Sequence, residues 1–167
     1  MRKALLLSFI VLVSASCATT SLSRAEREQQ RILEAAHRRA VVAKTIESGS
    51  FVLRFENARS QAGRPAQLAS SQNYIAVHDG SAEISLAYSG RQYGTRPIAA
   101  FIINGKVSDY RLEEDASGTP HRIRFSIVQG RELFRFSILV DDSGAATAVV
   151  NNNKIDMTEY SGYLHLQ

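Results

Sequence analysis

Residues 121–144 read HRIRFSIVQGRELFRFSILVDDSG, and this stretch decides the fold class. Ile123, Phe125 and Ile127 alternate with polar residues, and the alternation resumes from Phe134 to Val140. Strict alternation places one face of a strand on a core and the other face in water. The Asp-Asp-Ser-Gly sequence at 141–144 is typical of a tight turn. The stretch therefore predicts neighbouring antiparallel strands.

The same alternation occurs upstream, between Phe51 and Phe55, at Ile75 and Val77, and from Ile84 to Tyr88. Turn signals separate the runs at 79–80, 89–90, 104–105, 117–118 and 151–153. Short connections favour strands that are neighbours in the sheet. The pattern predicts a mainly β protein, an antiparallel β-meander of about eight or nine strands curled as a barrel or folded as a sandwich.

A helical period precedes the first strand. Ser23 and Glu26 have the capping-box spacing that begins a helix, and Ser48-Gly49 supplies its end, so one amphipathic helix is predicted over 23–48. Its apolar stripe is narrow and mostly alanine: Leu22, Ala25, Ile32, Ala36, Ala40, Ala43 and Ile46. Helices that lie on membranes carry larger apolar side chains. A spacer or packing helix is therefore favoured over a membrane-bound one.

The N-terminus predicts export. Arg2 and Lys3 precede an apolar run over 4–13, which is too short to span a bilayer, and Ser14-Ala15-Ser16 leads directly to Cys17. This order resembles a bacterial lipobox. It predicts a cleaved signal peptide at 1–16, a lipid-anchored Cys17, a linker over 17–22 and a single β-rich domain over 49–167.

One alternative stays open at the cleavage site. Ser14 stands where the lipobox usually has leucine, and ordinary signal peptidase also accepts Ser14 with Ser16. The alternative is a secreted protein with a free thiol at Cys17. A lone cysteine at this boundary favours lipidation. The expected location is the bacterial cell envelope, on the periplasmic face of the outer membrane.

Composition limits the partners. The 167 residues are 44% hydrophobic and 22% charged, which is typical of one folded domain rather than a disordered chain. The formal net charge of +4 includes Arg2 and Lys3, so removing a signal leaves +2 (4 − 2). Nucleic-acid binding needs clustered positive charge, so this small net charge and the scattered arginines predict no nucleic-acid partner. The membrane, reached through the lipid anchor, is the first expected partner.

Residues with catalytic or metal-binding chemistry are scattered. His37, His78, His121 and His165 lie in separate elements without metal-ligand spacing, and each is expected at a surface or a strand edge. Ala145 follows the 141–144 turn where a calcium loop needs oxygen ligands. The chain also lacks the G-x-S-x-G elbow of hydrolases. We expect no cofactor, no metal and no enzymatic activity, with a hydrolase as the weakest alternative.

One segment has the composition of a binding surface. Tyr88, Arg91 and Tyr93 surround a glycine-bounded turn, and tyrosine and arginine are favoured where proteins bind partners. The alternative is a hairpin whose tyrosines pack on the core and whose arginine is solvated.

Motifs over most of the mature chain also resemble one family. They are Gly49-Ser50-Phe51-Val52, Gly63-Arg64 before Leu68, Tyr74-Ile75-Ala76-Val77, residues 86–93 (LAYSGRQY) and Tyr160-Ser161-Gly162-Tyr163. With the lipobox and the charged helix, they resemble the uncharacterised bacterial lipoprotein family catalogued as domain of unknown function 4251. The resemblance implies an envelope lipoprotein and no specific activity.

The expected function is a non-catalytic binding module for a small apolar ligand or an envelope partner, because a small barrel can hold one such ligand. The alternative is a structural or protein-interaction component of the envelope that acts through the helix or a strand edge.

Overall fold

The computed structural model describes residues 23–61, 65–88, 100–113 and 121–166. These residues form one helix and ten strands, so the prediction of a mainly β chain is confirmed. The elements are α1 (Arg24–Glu47), β1 (Phe51–Ser60), β2 (Ala66–Gln67), β3 (Tyr74–His78), β4 (Ser81–Ala87), β5 (Ala100–Lys106), β6 (Ser108–Glu113), β7 (His121–Gln129), β8 (Glu132–Val140), β9 (Ala145–Asn152) and β10 (Ile155–His165).

The strands form one antiparallel sheet in the order β5-β4-β3-β1-β10-β9-β8-β7-β6, with the short β2 beside β1. β5 and β6 stand at opposite ends of this order, yet only Val107 separates them in the chain. The sheet must therefore curl round until its ends meet. Of the two predicted arrangements, a nearly closed barrel of nine strands is the one observed.

The barrel closes where β5 approaches β7. A Cβ atom at Gly105 would lie 2.8 Å from Cγ2 of Ile127, so this close approach requires glycine. Further along, the Gln129 side-chain amide donates to the Ile102 carbonyl over 3.2 Å. The predicted turn at 104–105 is therefore wrong. Asn104 and Gly105 lie inside β5, paired with Glu83 and Ala82. The missing side chain of Gly105 lets β5 approach β7 where the barrel closes.

Alternate residues of the strands point into the barrel and fill it. The runs predicted to share a face are buried, including Phe51, Leu53 and Phe55 on β1. Aromatic rings pack against each other inside, with Phe125 stacked on Phe136 at 4.8 Å between centroids. Burial of this apolar surface is the main stabilising contribution.

His121 contradicts its prediction as a surface or edge residue. It is 2% exposed, because it begins β7 in phase with the inward-facing Ile123 and Phe125. The other three histidines, His37, His78 and His165, are exposed, as predicted.

Helix α1 begins at the predicted capping box. The Ser23 hydroxyl accepts from the Glu26 N–H, and the Glu26 carboxylate accepts from the Ser23 N–H. Residues 24–40 are all exposed, and the apolar contact with the barrel is made by Val42 and Ile46, both fully buried. Ile32, a member of the predicted stripe, is 61% exposed. The buried contacts of α1 with the barrel lie in its last two turns, although Arg39 also pairs with Asp142 and Leu33 lines a cleft with Leu166.

Candidate functional site

The predicted site residues fall into two groups. Cys17, Arg91 and Tyr93 lie outside the residues that the structure describes, so lipidation and the recognition surface remain predictions there. Tyr88 is described and is only 7% exposed, with its ring packed on Phe101 at 5.0 Å between centroids. Its side chain faces the core, as in the packing alternative, and offers little surface to a partner.

Within the described ranges, no three histidine, cysteine, aspartate or glutamate side chains come together as a metal site would require. In the same part of the chain, no helix is both long enough and apolar enough to cross a membrane. The expected absence of a cofactor or metal stays a prediction.

One surface group that no sequence pattern indicated joins Ser50, His78 and Asp79. The Ser50 hydroxyl lies 3.1 Å from His78 Nδ1, and Asp79 Oδ2 lies 2.9 Å from His78 Nε2. The three residue types are those of a serine hydrolase triad, but the two ring nitrogens of His78 are used the other way round, and His78 is 77% and Asp79 is 83% exposed. Nucleophilic catalysis uses donors fixed in a site shielded from water. The exposure favours a simple surface hydrogen-bond chain.

One cleft is a groove of about 580 Å³ on the outer wall of the barrel, across strands β6 to β10. We call it the arginine groove, after the three arginines that line it: Arg111, Arg124 and Arg135. They lie on the neighbouring strands β6, β7 and β8. Its remaining lining residues are Asp109, Phe125, Ser126, Phe136, Ser137, Val149, Asn151 and Met157.

Strand register brings the arginines together. Arg111 lies directly opposite Arg124, and Arg124 lies opposite Ser137 on the next strand. Arg135 is opposite Ser126, so it is the diagonal neighbour of Arg124. Directly opposed like charges destabilise a sheet, unless a counter-charge offsets them. The groove therefore concentrates positive charge at a cost to the fold.

Within the described residues, little counter-charge lies beside these arginines. Glu113 accepts from Arg124 over 3.1 Å, and both side chains remain about half exposed. Among the described residues, neither Arg111 nor Arg135 has an ion-pair partner. Asp109 is the one carboxylate among the described residues that line the groove. These guanidinium groups are available to bind oxyanions, which they match in geometry.

The sequence carried part of this signal. Arg124 occupies an outward position in the alternation of β7, which is readable without a structure. Arg111 could not be placed beside Arg124 from the sequence, because it lies on β6, a strand that the alternating pattern did not predict.

Comparison with known proteins agrees with the architecture. A family model described as Domain of unknown function (DUF4251) matches residues 34–164. A crystal structure of a DUF4251 family protein from Bacteroides eggerthii resembles this chain with a TM-score of 0.64 and 22% sequence identity. The similarity covers 77% of this chain and 87% of that one, and at this identity it bears on the fold alone. A search of curated proteins gave no significant match.

Proposed function

Since this chain belongs to the DUF4251 family, a domain of unknown function, we propose a role from its own surface: a non-catalytic binding module, lipid-anchored in the bacterial cell envelope, that binds its partner through the arginine groove. The observation that carries the proposal is the convergence of three arginines from adjacent strands in one groove on the outer wall.

The packed interior directs binding to the outside. Phe55, Phe101, Phe134 and Tyr160 all face inward and contact other aromatic rings at centroid distances from 5.0 to 6.0 Å. An enclosed apolar ligand of the kind that small barrels hold needs the volume that these rings occupy. The outer-wall partner is therefore favoured over the small apolar ligand. Solvent extraction of the purified protein, followed by mass spectrometry, should return no stoichiometric lipid in the barrel.

The exposed part of α1 suits the proposed anchor. Residues 24–40 make up 17 residues without a buried side chain. At about 1.5 Å per residue, they span roughly 25 Å of helix. Arg39 still pairs with Asp142 and Leu33 lines a cleft with Leu166, so residues 24–32 form the part that is clear of the barrel, roughly 13 Å long. A lipidated Cys17 at the far end of this spacer would hold the barrel away from the membrane, with its outer wall accessible.

Site-specific crosslinking in cells tests the proposal. A photo-crosslinking residue replaces Asn151, which lines the groove, and in a matched control it replaces Gln67, which is exposed on β2 elsewhere on the sheet. We expect a reproducible adduct from position 151 and none from position 67. Equal adducts from the two positions, or none from position 151 at native expression, would contradict binding through the groove.

A second candidate, an envelope interaction component that acts through α1, has one observation in its favour. Ile32 and Leu33 are 61% and 65% exposed on the spacer, which is unusual for adjacent large apolar residues. A crosslinker at Ile32 distinguishes the candidates, because this second role requires adducts there and the groove does not.

A further inference from the structure

The chemistry of the groove indicates what kind of ligand it binds. We infer that the arginine groove binds an acidic glycan, whose carboxylate, phosphate or sulfate oxygens pair with Arg111, Arg124 and Arg135. This inference rests on the proposed function, in which the groove is the binding surface, and adds the class of ligand.

Positive charge carries the first step. Three of the lining side chains are guanidinium groups and one is a carboxylate, that of Asp109. The sheet keeps Arg111 directly opposite Arg124 although like charges in that position repel. An anion across the two strands removes this repulsion. Successive strands are about 4.8 Å apart, so the arginines offer a row of anion sites rather than one point.

The open shape favours a chain over a small molecule. Pockets for small ligands bury most of the ligand surface, whereas this groove lies on the convex outer wall of a barrel. A polymer can enter and leave such a groove at its two ends. Arginines on neighbouring strands then bind successive acidic groups along the polymer.

The lining distinguishes a glycan from an acidic peptide or a nucleic acid. Extended peptides bind to free strand edges, but β7, β8 and β9 are paired on both sides, so across these three strands the groove offers side chains only. Single-stranded nucleic acid needs exposed aromatic rings for stacking, and Phe125 and Phe136 are buried inside the barrel. Ser126, Ser137 and Asn151 supply the hydrogen-bonding groups that sugar hydroxyls use, and Met157, which is 48% exposed, adds an apolar contact.

The position of the groove favours a ligand other than the anchoring membrane. α1 contacts the end of the barrel at the β8–β9 turn, where Arg39 pairs with Asp142 over 3.5 Å. Arg135 lies five residues before the end of β8, roughly 17 Å along the strand from that turn. The groove thus extends toward the end of the barrel that is remote from the spacer.

Titration of the Cys17→Ala chain, which lacks the proposed lipid anchor, with defined probes tests the inference. The probes are polygalacturonate and dextran sulfate as acidic glycans, neutral dextran, polyglutamate as an acidic peptide, and phosphatidylglycerol vesicles as an anionic membrane. Calorimetry should detect binding of an acidic glycan and none of neutral dextran. Tighter binding of polyglutamate or of the vesicles than of either acidic glycan, or no binding of the acidic glycans, would overturn the inference.

Matched charge variants locate the binding. The triple variant Arg111→Gln, Arg124→Gln and Arg135→Gln should weaken acidic-glycan binding by about tenfold or more, because each removes a charge-assisted hydrogen bond. The control Arg24→Gln, Arg27→Gln and Arg31→Gln loses the same charge from the exposed spacer and should change affinity by less than about twofold. Equal losses in the two triple variants would mean non-specific attraction and contradict the inference. Thermal unfolding of each variant confirms that it is folded.

A gain of affinity provides an independent test. Glu113→Gln removes the carboxylate that competes for Arg124, so acidic glycans should bind a few-fold more tightly. Asp142→Asn, which frees Arg39 from a 3.5 Å pair at the β8–β9 turn, serves as the control and should leave affinity unchanged. If Glu113→Gln does not raise affinity above this control, the inference is wrong. If a crosslinked adduct forms at position 151 but no acidic glycan binds, the proposed function is retained and only the acidic glycan as its ligand is rejected.

Discussion

Gly162 provides a sharp test of the strand register. It pairs with Phe55 next to the irregularity between Phe55 and Asn57, where β10 lies closest to β1. A Cβ atom there would overlap the Arg54 carbonyl oxygen and lie 2.6 Å from the Phe55 Cα. Both neighbours are backbone atoms, which cannot rotate away as a side chain can. Gly162→Ala must therefore push β1 and β10 apart.

The expected cost combines two effects. Overpacking in a close-packed region costs about 1–3 kcal/mol, and moving the strands loses one or two ladder hydrogen bonds of about 1 kcal/mol each. We expect Gly162→Ala to lower the free energy of unfolding by about 3 kcal/mol or more, a large part of a typical domain's stability. Urea denaturation followed by circular dichroism measures this change.

Gly130→Ala is the matched control. Gly130 lies in the β7–β8 turn with φ of +65°, and a Cβ there meets nothing within 4 Å. Only backbone strain of about 1 kcal/mol opposes alanine at this position. If Gly162→Ala costs no more than Gly130→Ala, the pairing of Phe55 with Gly162 is wrong.

Three further predictions concern the helix and the core. Ile46→Ala should lower the free energy of unfolding, measured in urea, by about 2–4 kcal/mol, because Ile46 is fully buried. Ile32→Ala should lower it by less than about 0.5 kcal/mol, because Ile32 is 61% exposed. Equal costs for the two variants would refute a free spacer. Burial raises the pKa of Tyr160, so its contribution to stability is complete below about pH 10 and is lost as the unfolded chain ionises above it. Tyr160→Phe removes the 2.9 Å hydrogen bond to the Ala87 carbonyl and should cost about 1–2 kcal/mol of unfolding free energy at pH 7. It should also make the loss of stability above pH 10 less steep. If urea denaturation shows the same fall of stability with pH in the variant as in the native chain, the burial of Tyr160 is wrong. Ser23→Ala should fray the start of α1, seen as faster amide hydrogen exchange there, while the melting temperature of the barrel stays constant; a matching fall in that temperature would mean that the spacer is coupled to the barrel.

The parts of the fold that follow from local chemistry could be predicted from the sequence. Alternation identified the inward faces of β1, β7 and β8, because each has one dry and one wet side. The capping box placed the start of α1 at Ser23, since both of its hydrogen bonds are local.

Features that depend on distant contacts escaped sequence reasoning. Gly105 has the composition of a turn beside Asn104, yet it serves the closure against Ile127, which is distant in sequence. Val42 lay outside the predicted stripe, because only the docking angle of α1 decides which side chains reach the barrel. The arginine groove likewise depends on which strands are neighbours and in what register. Alternation along a single strand does not contain this information.

The most direct test of the proposed lipid anchor is the intact mass of the native protein extracted from membranes. The account predicts a chain that begins at Cys17 and is heavier than the polypeptide by two or three acyl chains on a glycerol-linked cysteine. Cys17→Ala should abolish both the added mass and the membrane association. A chain whose mass equals that of the unmodified polypeptide from Cys17, or one that still carries residues 1–16, would contradict the account.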